Sequence, residues 1–292
     1  MRLIQSLILS LFACITCAGE PAFRILIFMP GIPAFQERFW NEAIVETGLE
    51  PYVDHGKQVN ALSASLYPRE VLDLYPGEIP QRFYDWTRWR MDDDWLPEGA
   101  KYTHLMIDTE PYKRHLDGVD SAWAWQKMRF GYNADDVAYL NGMVKGARKA
   151  TGLPIGHYRI PTLPIAPIGE EYDARIDTVR PIIEGADWVW QHEYSTEDVT
   201  EENRFAAIER QITQRQRLRS FGKPVWNAIW PGYTIPKGEV VSRFEYVLWS
   251  TKRWRDEYLI IWVDLDTPGD LDVHTNNMVE LAPKLKQVLG VE

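Results

Sequence analysis

Cysteine is almost missing from this chain: its 292 residues hold two, Cys14 and Cys17, both near the N-terminus. The long remainder therefore has no internal disulfide and no thiol nucleophile, and must be held by a hydrophobic core, which a chain of this length can bury. Other absences narrow the field further. No Gly-x-Gly-x-x-Gly turn follows the first apolar run, where Met29-Pro30-Gly31-Ile32-Pro33 holds a single glycine, which argues against a dinucleotide-binding doubly wound sheet. There is no Gly-x-Ser-x-Gly elbow, and the six histidines show no His-Glu-x-x-His spacing. His104, inside an apolar strand, reads as a core residue and not as a ligand. No block of Lys or Arg stands out, and the formal net charge is −10, which argues against counterion-release binding to nucleic acid. Asp264-x-Asp266 and Asp270-x-Asp272 flank Pro268-Gly269 but lack the ligand spacing and terminal Glu of a calcium-binding hand, and read as a solvated loop. No metal or cofactor is expected. No linker, repeat or low-complexity tract divides the chain, and no second long apolar run follows the N-terminus to suggest a membrane span.

What is present begins with a secretory layout. Arg2 precedes a Leu/Ile-rich stretch and the small-residue sequence Thr16-Cys17-Ala18, so residues 1–19 are expected to be a signal peptide and 20–292 one exported domain, secreted or periplasmic, starting near Gly19 or Glu20. Leu11-Phe12-Ala13-Cys14 loosely resembles a lipoprotein acylation site, with Phe12 a poor fit, and makes lipid anchoring at Cys14 the lesser alternative. The chain holds 13 Trp and 14 Tyr. Most must serve packing, yet flat aromatic faces also suit sugar rings, and the expected partner is a glycan bound by a monomer.

Short apolar runs recur at Phe23–Met29, Val59–Leu62, His104–Ile107, Ile155–Tyr158, Trp188–Trp190, Val225–Ile229 and Leu259–Val263. Near-continuous apolar strands of this kind suit a buried parallel sheet. Between them lies helical spacing: Val137, Leu140, Val144 and Ala147 before Gly152; Phe205, Ile208 and Ile212 before Gly222; Met278, Leu281, Leu285 and Val288 before Gly290. Seven strands alternating with helices, and polar and aromatic residues collected just after several strands, predict an α/β fold: a single TIM-like (β/α) barrel with its site at the strand C-terminal ends.

The segment His104-Leu-Met-Ile-Asp108-Thr-Glu110-Pro-Tyr112 is an apolar strand ending in two carboxylates. Residues i and i+2 of an extended strand point the same way, which sends Asp108 and Glu110 together toward the barrel mouth. Two close carboxylates cannot both ionise cheaply, so one keeps its proton to higher pH, as a general acid for glycoside cleavage must. The structural alternative makes one of them a helix cap or an ion-pair partner of Lys113 or Arg114.

This stretch resembles the animal and venom hyaluronidases, retaining endoglycosidases whose barrel strand ends in Ile-Asp-x-Glu. Gly77-Glu-Ile-Pro80-Gln81, Gly156-His-Tyr158-Arg159-Ile-Pro161 and Ile260-Ile-Trp262-Val263 are similar to further segments of that family in the same order, and the closing helix Asn276–Gly290 sits where its last barrel helix falls. The resemblance implies a distorted seven-stranded barrel and an endo-β-N-acetylhexosaminidase working by substrate assistance. In that scheme Glu110 protonates the glycosidic oxygen and then activates water, while Asp108 holds the substrate's acetamide, whose oxygen attacks the anomeric carbon. Tyr112, Tyr158, Arg159, Trp190, Glu193, Trp230 and Trp262 are the implied or candidate sugar-binding residues, with His157 and Arg159 as local positive charge. The chain departs from the family at the fifth strand, where Trp190 replaces a tyrosine, and at the sixth, where a tyrosine position falls near Ala228 with Trp230 and Tyr233 as stand-ins. Two alternatives stay open: a two-carboxylate glycosidase using Glu110 and Glu193, and a carbohydrate-binding barrel without activity.

Overall fold

The computed structural model describes residues 23–60, 79–91, 95–108, 134–157, 177, 180–191, 213, 215–232 and 238–291. Strands β1 (Arg24–Phe28), β2 (Val53–Asn60), β3 (Tyr102–Asp108), β4 (Ile155–His157), β5 (Trp188–Gln191), β6 (Val225–Ile229) and β7 (Tyr258–Trp262) form a closed barrel in sequence order. Every neighbouring pair is parallel, and β7 closes onto β1 through pairs such as Phe28 with Trp262. Helices α1 (Pro33–Phe39), α2 (Ile79–Arg90), α3 (Ala134–Thr151), α4 (Val240–Trp254) and α5 (Pro268–Leu289) belong to the outer layer, and α1 runs on into the π-helical turn Trp40–Val45.

Alternation along the strands divides the core in three. Outward residues of β1 and β7, such as Ile25, Ile27, Leu259 and Ile261, pack against α1, α4 and α5, while those of β3 and β4 pack against α3. Inward residues fill the lumen, where Leu26, Met106, Trp188, Trp226 and Ile260 are buried. Two strand glycines make room for these large rings. A Cβ on Gly56 would lie 2.4 Å from the Phe28 ring, and one on Gly156 would lie 2.4 Å from Trp188. Each glycine is therefore the complement of an aromatic on the next strand.

The N-terminal end of the lumen is sealed by a polar knot. Arg24 donates to both oxygens of Asp54, at 2.7 and 2.9 Å, and the Tyr258 hydroxyl donates to Asp54 at 2.9 Å. Burial alone would raise the Asp54 carboxyl, but these hydrogen bonds and the nearby charge of Arg24 hold it below its ordinary value. His104 sits edge-on to Trp226 and Tyr258, at 5.3 and 4.8 Å, and burial lowers its pKa. It is a core residue, as the sequence suggests.

Two boundaries differ from expectation. Strand β2 begins at Val53, because its inward Asp54, Gly56 and Gln58 interrupt the apolar run that the sequence offers only from Val59. Helix α5 begins at Pro268, eight residues before Asn276: Thr267 caps it, accepting from the Asp270 N–H at 3.2 Å, and Asp270 reaches back to the Thr267 N–H at 3.0 Å. The segment read as a solvated loop is thus in part the first turn of a helix. Around β6, the buried Arg215 pairs with Asp256 and binds Asn227 and the Val225 carbonyl, tying β6 to the turn before β7.

Candidate active site

The C-terminal end of the lumen is built by the last inward residue of each strand. His104, Met106 and Asp108 share one face of β3, and the strand ends as Asp108 reaches the mouth, where it is 6% exposed. Gln58, inward on β2, donates its Nε2 to Asp108 at 2.6 Å, which fixes the carboxylate's orientation. Nothing in an apolar-run reading marks Gln58; its register beside β3 does.

An aromatic wall stands in the same lumen. Phe28 of β1, Trp190 of β5 and Trp262 of β7 meet with ring centroids 5.7 to 6.3 Å apart. Trp190 is fully buried and backs the wall, whereas Trp230 and Trp262 remain partly exposed at this end. Ala228 is inward and buried on β6, so the aromatic at this side comes from Trp230, just past the strand end.

Helix α5 holds this side in place. Asn277 donates to the Pro231 carbonyl at 2.7 Å, and a Cβ at Gly232 would fall 2.4 Å from Trp230 Nε1 and 2.7 Å from His274 Cε1, so the turn, the indole and the imidazole are in contact. His274 Nε2 accepts from the Asp264 N–H at 3.3 Å. Burial drives His274 down to about 4, which keeps the ring neutral and able to accept. Above Trp262 the β1–β7 ladder continues: the N–H of Val263 donates to the Phe28 carbonyl and that of Leu265 to the Pro30 carbonyl, both at 2.9 Å. Gly31 permits this approach, since its φ is 135° and a Cβ would meet the Leu265 carbonyl at 2.4 Å.

Of the residues singled out from sequence, the structure brings Asp108, Trp190, Trp230 and Trp262 to one end of the barrel. Glu110, Tyr112, Tyr158, Arg159, Glu193 and Tyr233 lie outside the described residues. His157 is corrected: Ile155 and His157 face away from the lumen, burial lowers the imidazole to about 4, and it supplies no positive charge to the mouth. Among the described residues no group of three or more His, Cys, Asp or Glu is placed to hold a metal ion, and no helix is long and apolar enough to cross a membrane.

No family model matches the sequence, and no curated protein matches it either. Solved structures do match in shape. Bee venom hyaluronidase in a monoclinic crystal aligns over 90% of this chain and 99% of its own, with a TM-score of 0.56 and 14% identity. The same bee venom enzyme in complex with a hyaluronic acid tetramer aligns over 91% of this chain and 99% of its own, with a TM-score of 0.60 and 13% identity. At such identities the likeness is one of fold: this chain shares with bee venom hyaluronidase the architecture of a seven-stranded parallel (β/α) barrel.

Proposed function

We propose that this protein is an exported glycoside hydrolase that cleaves an N-acetylhexosamine-containing polysaccharide by a retaining, substrate-assisted mechanism, acting within the chain as an endo-β-N-acetylhexosaminidase. The observation that carries this reading is Asp108: a buried carboxylate at the C-terminal end of β3, oriented by Gln58, facing a mouth walled by tryptophans. Barrels of this class place their chemistry at this end. The shared fold with bee venom hyaluronidase supports the same reading.

In the proposed reaction a sugar ring stacks on the Trp262 side of the mouth. Asp108 accepts a hydrogen bond from the acetamide N–H, raising the nucleophilicity of the acetamide oxygen and stabilising positive charge on the ring that forms. Glu110, two residues on, gives its proton to the glycosidic oxygen as the anomeric C–O bond breaks and the acetamide oxygen bonds to the anomeric carbon. The leaving chain departs, and Glu110, now a carboxylate, takes a proton from the water that opens the oxazolinium ring. The two inversions retain the β configuration.

Proton NMR of the first product from a panel of N-acetylhexosamine glycans tests this. A β-anomer appearing first is the expected result. An α-anomer first means inversion and moves the case to Glu110 with Glu193 as base. Binding without any product leaves a carbohydrate-binding barrel.

A further inference from the structure

Asp264 takes no part in the mechanism above, yet its position at the mouth is defined. Along β7 Tyr258, Ile260 and Trp262 belong to the lumen, while Val263 and Leu265 are wholly buried on the outer side. Val263 and Leu265 donate to the Phe28 and Pro30 carbonyls and both bury outward, so alternation puts Asp264 on the lumen side, one step above Trp262. Its backbone is pinned by His274, which also touches the Trp230 turn. Asp264 is partly buried, and among the described residues its carboxylate has neither a hydrogen-bond donor nor an ion-pair partner. Burial and the nearby Asp266 and Asp270 raise it to about 6, so near neutral pH it is predominantly an anion held at a cost.

A partly buried carboxylate one step above the partly exposed Trp262 has a definite preference. It accepts from hydroxyl groups of a stacked sugar and repels another carboxylate brought to the same place. Resting on the glycosidase reading, we propose that Asp264 is a specificity-determining residue that selects an uncharged N-acetylhexosamine chain over a uronate-bearing one. The protein's net charge of −10 works in the same direction at longer range.

The test is binding, measured by calorimetry at pH 7 on the intact Glu110→Gln protein, with β-linked N-acetylglucosamine hexamer and hyaluronan hexamer as the two probes. The uncharged hexamer is expected to bind at least about tenfold more tightly, since two charges near 4 Å at a protein surface interact by that much or more. Asp264→Asn should narrow the gap to within about threefold, mainly by improved hyaluronan binding, and Asp264→Glu should preserve it. Raising salt to about 0.5 M should narrow the gap in the protein with Asp264 intact, an arm independent of whether any Asp264 variant folds. Equal or tighter hyaluronan binding, a gap untouched by Asp264→Asn, or no binding of either probe overturns the proposal. Hydrolysis by the wild type is scored separately: an uncharged hexamer bound selectively but never cleaved sustains the role of Asp264 and removes the glycosidase reading.

Discussion

The two ends of the lumen use the same residue types to opposite effect. At the N-terminal end Asp54 accepts two hydrogen bonds from Arg24 and one from Tyr258, and its pKa is pulled down. At the C-terminal end Asp264 has no such donors among the described residues, and its pKa is pushed up to about 6. Aromatic rings are likewise packed edge to face below, around His104, and left partly open above at Trp230 and Trp262. The lower end is closed by its own hydrogen bonds; at the upper end, among the described residues, the Asp264 carboxylate has no donor and two tryptophans stay partly exposed, which suits the proposed binding site.

The sharpest way to break this contrast starts from the proposed catalytic pair. Glu110→Gln should lower turnover by about two or more orders of magnitude with the melting temperature unchanged, because removing a positioned general acid costs about that much. Asp108→Asn should be comparably severe, and since the amide oxygen still accepts from Gln58, only without the carboxylate's charge, at most a small stability loss should accompany it. Steady-state kinetics beside thermal melts decide the matter, and parallel loss of both stability and turnover in Glu110→Gln would count against a catalytic role.

Disabling the lower end should do the reverse. Asp54→Ala leaves the Arg24 guanidinium and the Tyr258 hydroxyl without their acceptor, and should cost about 2 kcal/mol in urea unfolding while kcat in the surviving folded fraction stays near wild type. An equal fall in kcat would show that the two ends are coupled.

A gentler probe titrates the walls between them. His55, His157 and His274 are each lowered to about 4 by burial, from an ordinary value of 6.5. Each is neutral in the fold, so its contribution to stability is complete above about pH 6.5 and is lost as pH falls toward 4, at about 1.4 kcal/mol per pH unit per histidine. Asp264 has the opposite sign, since its raised carboxyl takes up a proton more readily folded than unfolded. His157→Phe should therefore flatten the acid limb of the stability curve by about that single-histidine slope between pH 6 and 4.5, read from urea midpoints at each pH. An unchanged slope would mean that His157 reaches solvent.

The upper end was more legible in the sequence than the lower. Apolar strands ending abruptly in Asp108, Trp190 or Trp262 reveal both the barrel and the face that carries its site, because a parallel strand is apolar on both sides until it leaves the core. Strand β2 shows the limit of that signal: Asp54 and Gln58 face inward because Arg24, Tyr258 and Asp108 are there to meet them, and those partners sit on other strands, far away in sequence. Asp264 was hidden for a related reason. It stands among other acids before Pro268-Gly269, and only its parity with Trp262, two residues earlier, separates it from a solvated loop. Helices α1, α2 and α4 left no clean apolar period either; the exposed Trp89 of α2 and Trp249 of α4 blur the stripe that would reveal them.

The fit of Gly156 against Trp188, and of Gly56 against Phe28, bears on how such a barrel changes over generations. Neither partner of a pair has a viable single step: a side chain on the glycine strikes the ring, and a smaller residue in place of the ring opens a void that the glycine cannot fill. Lineages descending from this chain should therefore exchange these positions two at a time or leave them alone, so that sequence drift runs into the loops above the barrel while its lumen stays fixed.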